Sequence, residues 1–372
     1  MAGGLVVHEW IEASGGSERV LAEILAAYPS ADLACLWRDV PADAFAGHRV
    51  RETWLARTPL RRSKLAALPL MPSTWSRVDA SAYEWSLAST HLFAHHAGGR
   101  GPRRADRSFA YVHTPARYIW SPEMDDRGRS PFVRAAAQAF KGRDRSRAQL
   151  LTGLASNSEF VRRRTAEAWD RDSVVIHPPV QAAAIATTPR WADVLDEGDR
   201  ARLGSLPTDF VLGASRFVPY KRLDLVIETG RAAGLPVVLA GGGPQEAALL
   251  AAAENAGIPV HIVDRPSDAL LYALYQRAVV YVFPAVEDFG IMPVEAMAAG
   301  ARVLVADTGG TTESVVDGET GVHVHRWQGR DLSDAVAVAA GLGPEAARAR
   351  ALEFDAPVFH RRLTSWMGVD RG

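Results

Sequence analysis

The sequence predicts an α/β protein built from two doubly wound, Rossmann-like parallel-sheet domains, and three observations carry that prediction. The chain has 372 residues, beyond the size at which single hydrophobic cores stop growing. Its second half alternates short apolar runs with helical patterns, the mark of a parallel sheet covered on both faces. Its first half holds buried-type runs that end in glycine or polar residues. Between them, from Gln181 to Pro207, no clean strand is visible, and Pro189 and Gly204 punctuate the stretch. The expected division is therefore residues 1–182, a linker at 183–207, and a second domain at 208–353. Two such sheets are expected to present their strand ends to an interdomain cleft.

In the first half, Leu5–His8 reads as a short buried strand. Gly15-Gly16-Ser17-Glu18 then opens a helical pattern through Val20, Leu21, Ile24 and Leu25. A glycine pair before a helix can bring backbone N–H groups close to an anion, and it is equally ordinary turn punctuation. It is not the G-x-G-x-x-G dinucleotide fingerprint. Asp32–Trp37 and Arg49–Leu55 are expected strands. Residues 56–75 interleave Arg57, Arg61, Arg62 and Lys64 with Leu60, Leu65, Leu68, Leu70 and Met71. That pattern suits a basic amphipathic segment at a lipid interface, or a solvated basic face packed on a core. Trp85–Thr90 and Phe109–His113 follow as strands. His113 falls at a strand's carboxyl end, where function gathers in α/β sheets, beside Thr114, Arg117, Tyr118 and Trp120. Residues 123–147 are highly charged and predict an exposed loop and helix. Leu150–Ser156 and Val174–Val180 are the last strands, the latter ended by two prolines.

The second half reads as strand Phe210–Ala214, helix 222–232, strand Val237–Ala240, then Gly241-Gly242-Gly243 and a helix from Gln245. Strand Val260–Val263, helix Ser267–Arg277 and strand Ala278–Phe283 come next. The last of these runs into Ala285–Gly300. A loop there ends in Gly290, and an Ala-rich helix is expected from about Pro293, with Glu295 in its first turn where the helix dipole favours a negative charge. Glu287 and Glu295 thus flank a helix N-terminus able to receive a phosphate or hydroxyl. Arg302–Ala306 and Gly321–Val324 complete the pattern.

Composition is that of a globular protein, 48% hydrophobic and 23% charged. No apolar run of about 18 residues suggests a membrane span. The first ten residues lack a basic n-region, so the expected location is cytoplasmic, with peripheral contact at the inner membrane face through residues 56–75. Cys35 is the single cysteine, which excludes a disulfide or a cysteine–zinc site within one chain. Residues 1–180 hold 25 basic against 19 acidic side chains, and the remainder 17 against 24. A basic half suits an anionic partner, but no recognition-helix or aromatic-interleaved basic motif points to nucleic acid.

Three features of the second half converge on one edge of its sheet. Arg216 and Lys221, with Arg222, follow its first strand, and two cations at that spacing can clamp a diphosphate. Gly241 and Gly242 follow the second and leave room for a flat ligand. Glu287 and Glu295 follow a later one. Taken singly, they are surface cations, a turn and a capped helix.

Together, Ser215-Arg-Phe-Val-Pro-Tyr-Lys-Arg-Leu-Asp224 and Glu287-Asp-Phe-Gly-Ile-Met-Pro-Val-Glu295 resemble the retaining GT-B glycosyltransferases of family four. Gly15-Gly-Ser-Glu18, His113-Thr-Pro-Ala-Arg-Tyr118, Ser156-Asn-Ser-Glu-Phe160, His177-Pro-Pro-Val180 and Gly309-Gly-Thr-Thr-Glu313 extend the resemblance over nearly the whole chain. His113-Thr-Pro-x-Arg-Tyr, Leu68-Pro-Leu-Met-Pro72 and Tyr83–His91 resemble a bacterial mannosyltransferase-like subgroup that builds surface polysaccharides. The resemblance implies that Arg216 and Lys221 neutralise the donor diphosphate. Glu287 would hold donor-sugar hydroxyls with backbone N–H groups at Phe289, Gly290 and Ile291, and Glu295 the ribose. Asp264 and Arg265 would lie against the base, Gly15 and Gly16 near the phosphates, and His113 near sugar and acceptor. Residues 354–372 would cross back to the first domain. The implied substrates are a nucleotide-diphosphate sugar and a saccharide acceptor, expected to be lipid-linked. No cofactor and no metal are expected, because two cations and a helix dipole can meet the charge growing on the leaving diphosphate. Val263-Asp-Arg-Pro266 departs from the glycine that relatives often carry there, which leaves the base open.

Overall fold

The computed structural model describes residues 2–13, 15–41, 43–120 and 131–370. Part of the charged loop expected at 123–147 therefore lies outside the described residues. The chain forms two compact units, Met1–Pro179 with Pro357–Gly372, and Val180–Ala356.

The first unit is a seven-stranded sheet, in which every described pairing is parallel. Its strands are β1 (Ala2–His8), β2 (Asp32–Cys35), β3 (Val50–Glu52), β4 (Tyr83–Thr90), β5 (Arg107–Val112), β6 (Gly153–Ser156) and β7 (Val174–Val175). They lie in the order β3-β2-β1-β4-β5-β6-β7. The two-residue period of a strand sends alternate side chains to opposite faces. Leu5 and Val7 accordingly join one buried cluster with Ala110 and Val112, and Val6 joins another with Phe109 and Tyr111. The helix Ala356–Met367 adds Phe359, Leu363 and Met367 to the second cluster. Arg107 donates to the carbonyls of Met367, the last residue of that helix, and Gly368 at 2.6 and 3.0 Å.

The second unit is a six-stranded parallel sheet of β8 (Val211–Arg216), β9 (Val237–Gly242), β10 (Val260–Asp264), β11 (Val280–Phe283), β12 (Val303–Ala306) and β13 (Val322–Val324). Its order is β10-β9-β8-β11-β12-β13. Both sheets thus grow outward in two directions from their first strand. The order reverses between β1 and β4 in one and between β8 and β11 in the other. In open α/β sheets, ligand crevices open at the carboxyl ends of the strands at such reversals.

Residues 183–207 differ from the linker expected there. They hold the helices Ala182–Ala186 and Glu197–Gly204 and a turn at Trp191–Val194, all in the second unit. Ile185, Leu195, Leu203 and Leu206 are buried in its core. The segments are too short to show a helical period, and Glu197–Gly204 buries only one leucine among charged residues. Val180 pairs with this unit's last residues, its N–H donating to Phe354 at 2.9 Å and its carbonyl accepting from Ala356 at 3.1 Å.

Candidate active site

A largely buried ion pair of the second unit lies where its strand order reverses. Lys221, in the turn after β8, donates from Nζ to Glu287 Oε1 at 2.6 Å. Glu287 sits in the loop after β11, and the two side chains are 12% and 16% exposed. The ammonium also lies 5.0 Å from the centre of the Phe283 ring and 5.3 Å from that of Tyr220, a cation–π setting. Arg222 adopts a left-handed conformation at φ 51° directly after Lys221 and ends the turn. Arg216, at the end of β8, is exposed and donates to the Tyr220 hydroxyl at 3.1 Å.

Glu287 is held from behind by a second loop. The Gly310 N–H donates to its carbonyl at 2.8 Å. A Cβ at Gly310 would fall 2.1 Å from the Asp288 carbonyl oxygen, so only glycine permits this approach. Gly290 turns the chain at φ 88° and starts the helix Ile291–Ala299, which has no side-chain N-cap. The first-turn N–H groups of that helix lack an intrahelical acceptor, and the positive dipole end favours an anion there.

The helix therefore begins at Ile291, not near Pro293. Pro293 is its third residue, still among the four whose N–H would have no acceptor, so the ring costs no hydrogen bond. Glu295 consequently falls in the second turn, not the first, and is 5% exposed. It lies close to Tyr275 and Tyr281, whose phenols are pushed well above their ordinary range chiefly by burial, with the Glu295 charge a lesser contribution to each. Phe289 is buried against Phe354, with ring centres 5.4 Å apart.

Gly241 and Gly242 are the last two residues of β9, not a turn beyond it, and serve close packing. A Cβ at Gly241 would meet the Ser215 carbonyl oxygen at 1.9 Å, and one at Gly242 would meet Asp264 Oδ1 at 3.0 Å. Asp264 and Arg265 form an exposed pair at 3.8 Å, and the Arg265 N–H donates to the Gly241 carbonyl at 3.0 Å. The structure thus groups Lys221 with Glu287, and Gly241 and Gly242 with Asp264 and Arg265.

His113, Gly15 and Gly16 belong to the first unit. Gly15 precedes the helix Gly16–Ala27, and the Glu18 carboxylate reaches back over it, 2.1 Å from where a Cβ would stand. A flexible carboxylate thus occupies the space expected for an anion. His113 follows β5, and its Nε2 lies 2.8 Å from Ser89 Oγ, which lies 3.0 Å from His8 Nδ1. His91 completes a cluster, its ring centre 5.9 Å from His8 and 6.3 Å from His113. Burial lowers all three imidazoles, His8 to about 3, His113 to about 4 and His91 well below its usual value. Sequence reasoning singled out His113 but missed His8, Ser89 and His91. The signal was present, since all four stand at or just beyond strand ends.

Beneath them lies a buried polar network. Glu9 Oε1 accepts from the N–H groups of Leu92, Phe93 and Ala94 at 3.0, 2.6 and 2.7 Å and from Thr90 at 3.2 Å; Oε2 accepts from Trp75 at 3.1 Å. It fixes the turn that carries His91. Burial raises the Glu9 carboxyl in spite of these donors. Further along, His95, His96 and Asp144 bring three ligand-type atoms together, the one such group among the described residues. Asp144 already takes N–H groups from His96 at 3.0 Å and from Trp120 and Trp169 at 2.7 Å each, with His95 Nε2 at 3.1 Å. Burial pulls its carboxyl upward, but His95 and His96 outweigh that and hold it below the usual carboxylate range. A carboxylate so fully supplied with donors serves as an anchor for the helix Pro131–Ala148.

In the 56–75 segment, Leu60, Leu68 and Met71 pack on the first unit's core, while Leu65 and Leu70 stay exposed. Lys64 pairs with Glu12 at 2.7 Å and Arg61 pairs with Asp39. Cys35 is buried, and its thiol is pushed up to about 12 by burial. No described helix is long and apolar enough to cross a membrane.

Residues 198–349 match the family model described as glycosyl transferases group 1. The chain is 31% identical over 236 residues to a GDP-mannose-dependent α-(1-6)-phosphatidylinositol monomannoside mannosyltransferase of Mycolicibacterium smegmatis, covering 58% of each protein. It is 32% identical over 208 residues to a D-inositol 3-phosphate glycosyltransferase of Mycobacterium avium, covering 52% of the chain and 46% of the relative. The chain thus spans about half the length of these curated relatives. Among solved structures, Anabaena HepE in complex with UDP and glucose superposes with TM-score 0.68 and 19% identity, covering 97% of this chain and 99% of that one. Sucrose-phosphate synthase from Thermosynechococcus elongatus gives 0.71 and 15%, covering 98% of each. The Lys221–Glu287 pair and the Gly290 helix start lie inside the segment that matches this family model, and the two parallel-sheet units have the GT-B fold that the sequence resembles.

Proposed function

We propose that the protein is a retaining hexosyltransferase that moves a sugar from a nucleotide diphosphate to a saccharide acceptor. The observation that carries this is the Lys221–Glu287 pair beside the uncapped start of helix Ile291–Ala299. In the working site, Lys221 and Arg216 meet the diphosphate, whose charge grows as the sugar–phosphate bond breaks. The helix N-terminus adds its dipole. Glu287, fixed by the Gly309–Gly310 loop, accepts from sugar hydroxyls, and Glu295 from the ribose. The Asp264–Arg265 turn faces the base. The leaving phosphate takes the acceptor's proton on the face it departs from, which retains the anomeric configuration.

GDP-mannose is the first donor to test, since the M. smegmatis relative is named for it; HepE, solved with UDP and glucose, makes UDP-glucose the second. A lipid-linked acceptor at the inner membrane face is favoured by the basic excess in residues 1–180 and by exposed Leu65 and Leu70. The same donor chemistry on a soluble acceptor is the alternative, and salt-sensitive binding to anionic vesicles separates the two. A sugar-nucleotide epimerase of the same fold would instead interconvert the donor without releasing nucleotide diphosphate.

The test is incubation with a panel of nucleotide sugars, following release of nucleotide diphosphate, with and without EDTA. Turnover of at least one donor, undiminished by EDTA, is expected. If no donor is bound or turned over, the proposal fails. Lys221→Ala and Glu295→Ala should each lose most activity while remaining folded; full turnover in both would overturn the site assignment.

A further inference from the structure

The carboxyl ends of β1, β4 and β5 bring His8, Ser89 and His113 into one hydrogen-bonded row, with Ser89 Oγ 3.0 Å from His8 Nδ1 and 2.8 Å from His113 Nε2. Burial keeps both rings neutral at pH 7. A neutral imidazole has one N–H and one lone pair, and a serine hydroxyl has a single hydrogen. Ser89 can therefore donate to only one ring and must accept from the other.

That leaves two arrangements, told apart by the far nitrogen of His8. His8 Nε2 is buried and has no hydrogen-bond partner among the described residues. If Ser89 donates to His8, the His8 proton sits on Nε2 as a buried, orphaned N–H. If Ser89 donates to His113, His8 donates from Nδ1 and its Nε2 is a bare lone pair. An orphaned buried N–H is the rarer and costlier of the two. The second arrangement leaves His113 with its proton on Nδ1. That atom makes no hydrogen bond among the described residues, and the residue is partly exposed.

We propose that His8 and Ser89 are positioning residues that fix His113 as a neutral Nδ1–H donor toward a substrate oxygen, not as a general base. The substrate, a sugar hydroxyl or phosphate oxygen of the nucleotide sugar, rests on the transferase reading; the tautomer does not. The groups around the row keep it uncharged. His91 lies beside it, its own imidazole lowered by burial first, then by His8 and His113, and further by Lys64 and Arg117, and Tyr111, ring centre 5.2 Å from His113, is a phenol that burial holds protonated.

The test is the imidazole nitrogen–proton correlation spectrum of the full-length, ¹⁵N-labelled protein at pH 7. His8 and His113 should both appear as Nδ1–H tautomers. An Nε2–H tautomer at His113, or an imidazolium, would overturn the proposal. His8→Phe removes the donor to Ser89 and should give a tautomer mixture at His113, with kcat/KM for the donor sugar down about tenfold, the loss of roughly one hydrogen bond. His8→Gln keeps a donor and should restore both. A His8→Phe protein with an unchanged His113 tautomer and unchanged kcat/KM refutes the coupling. If no nucleotide sugar is turned over, the transferase reading falls while the spectrum still decides the tautomer.

Discussion

The Lys221–Glu287 contact makes a quantitative test of the second unit's site. Lys221→Met and Glu287→Gln, made singly and together, give a double-mutant cycle. A hydrogen bond to a charged group contributes about 1.5–3 kcal/mol, and partial exposure lowers that through solvent screening. At 2.6 Å, with side chains 12% and 16% exposed, the expected coupling is about 1–2 kcal/mol. Urea denaturation supplies the stabilities. Calorimetric binding of a nucleoside diphosphate supplies the functional side, and there the two single variants should part. Lys221→Met removes the cation proposed to meet the diphosphate and should weaken binding about 10- to 100-fold. Glu287→Gln removes the carboxylate that competes for the same ammonium, so diphosphate affinity should hold or rise while turnover falls. A coupling below about 0.3 kcal/mol would show that the pair does not interact in solution. Equal loss of diphosphate affinity in both variants would refute the division of roles.

Two further outcomes follow from burial and packing. His8, His96 and His113 have folded-state pKa values lowered to about 3, 4 and 4, chiefly by burial. The unfolded chain then binds more protons below about pH 6.5, so their contribution is complete above that pH and is lost as pH falls toward the folded values. Each neutral histidine should cost about 2 kcal/mol at pH 5 relative to pH 8, and a stability flat from pH 8 to pH 5 would contradict their burial. Gly310→Ala forces a Cβ to 2.1 Å from the Asp288 carbonyl oxygen, whereas a Cβ at Gly204 meets nothing within 4 Å. Gly310→Ala should therefore destabilise by about 2 kcal/mol or more and cut turnover. Gly204→Ala, at the end of a helix, should be neutral or stabilising by about 0.5 kcal/mol, and thermal melts with donor kinetics would expose any reversal.

Much of this was legible in the chain because the relevant signals are local. The runs Val237–Ala240 and Val280–Phe283 are apolar throughout, as strands buried on both faces must be, and both are strands. Lys221 and Glu287 stood out because each follows such a run. What was not legible depends on contacts distant in sequence. The start of the 291–299 helix is set by the Gly290 turn, whose Cβ position is closed by Thr311, 21 residues on. The row of His8, Ser89 and His113 joins positions 81 and 24 residues apart. No spacing rule connects them until the order of strands is known. The short helices at residues 182–204 were missed for a different reason, since they are too short for a period to be counted.

Strand order converts those scattered residues into sites by one rule applied twice. Each unit adds strands outward from its first, so the crevice-forming reversal falls beside β1 in one and β8 in the other. The chain after β8 supplies Lys221 and the chain after β11 supplies Glu287, an ion pair whose cation is proposed to meet a diphosphate. The chain at the ends of β1 and β4 supplies His8 and Ser89, a buried neutral row unable to hold a charge cheaply. Equivalent positions have thus been filled with opposite chemistry. Charge that builds on a leaving group needs the first kind of site. Hydroxyl groups that must be oriented without being ionised need the second. Replacing His113 by a permanently charged lysine should then harm turnover more than replacing it by asparagine, which keeps a neutral donor. The opposite ranking in donor kcat/KM would show that the first unit works by charge after all.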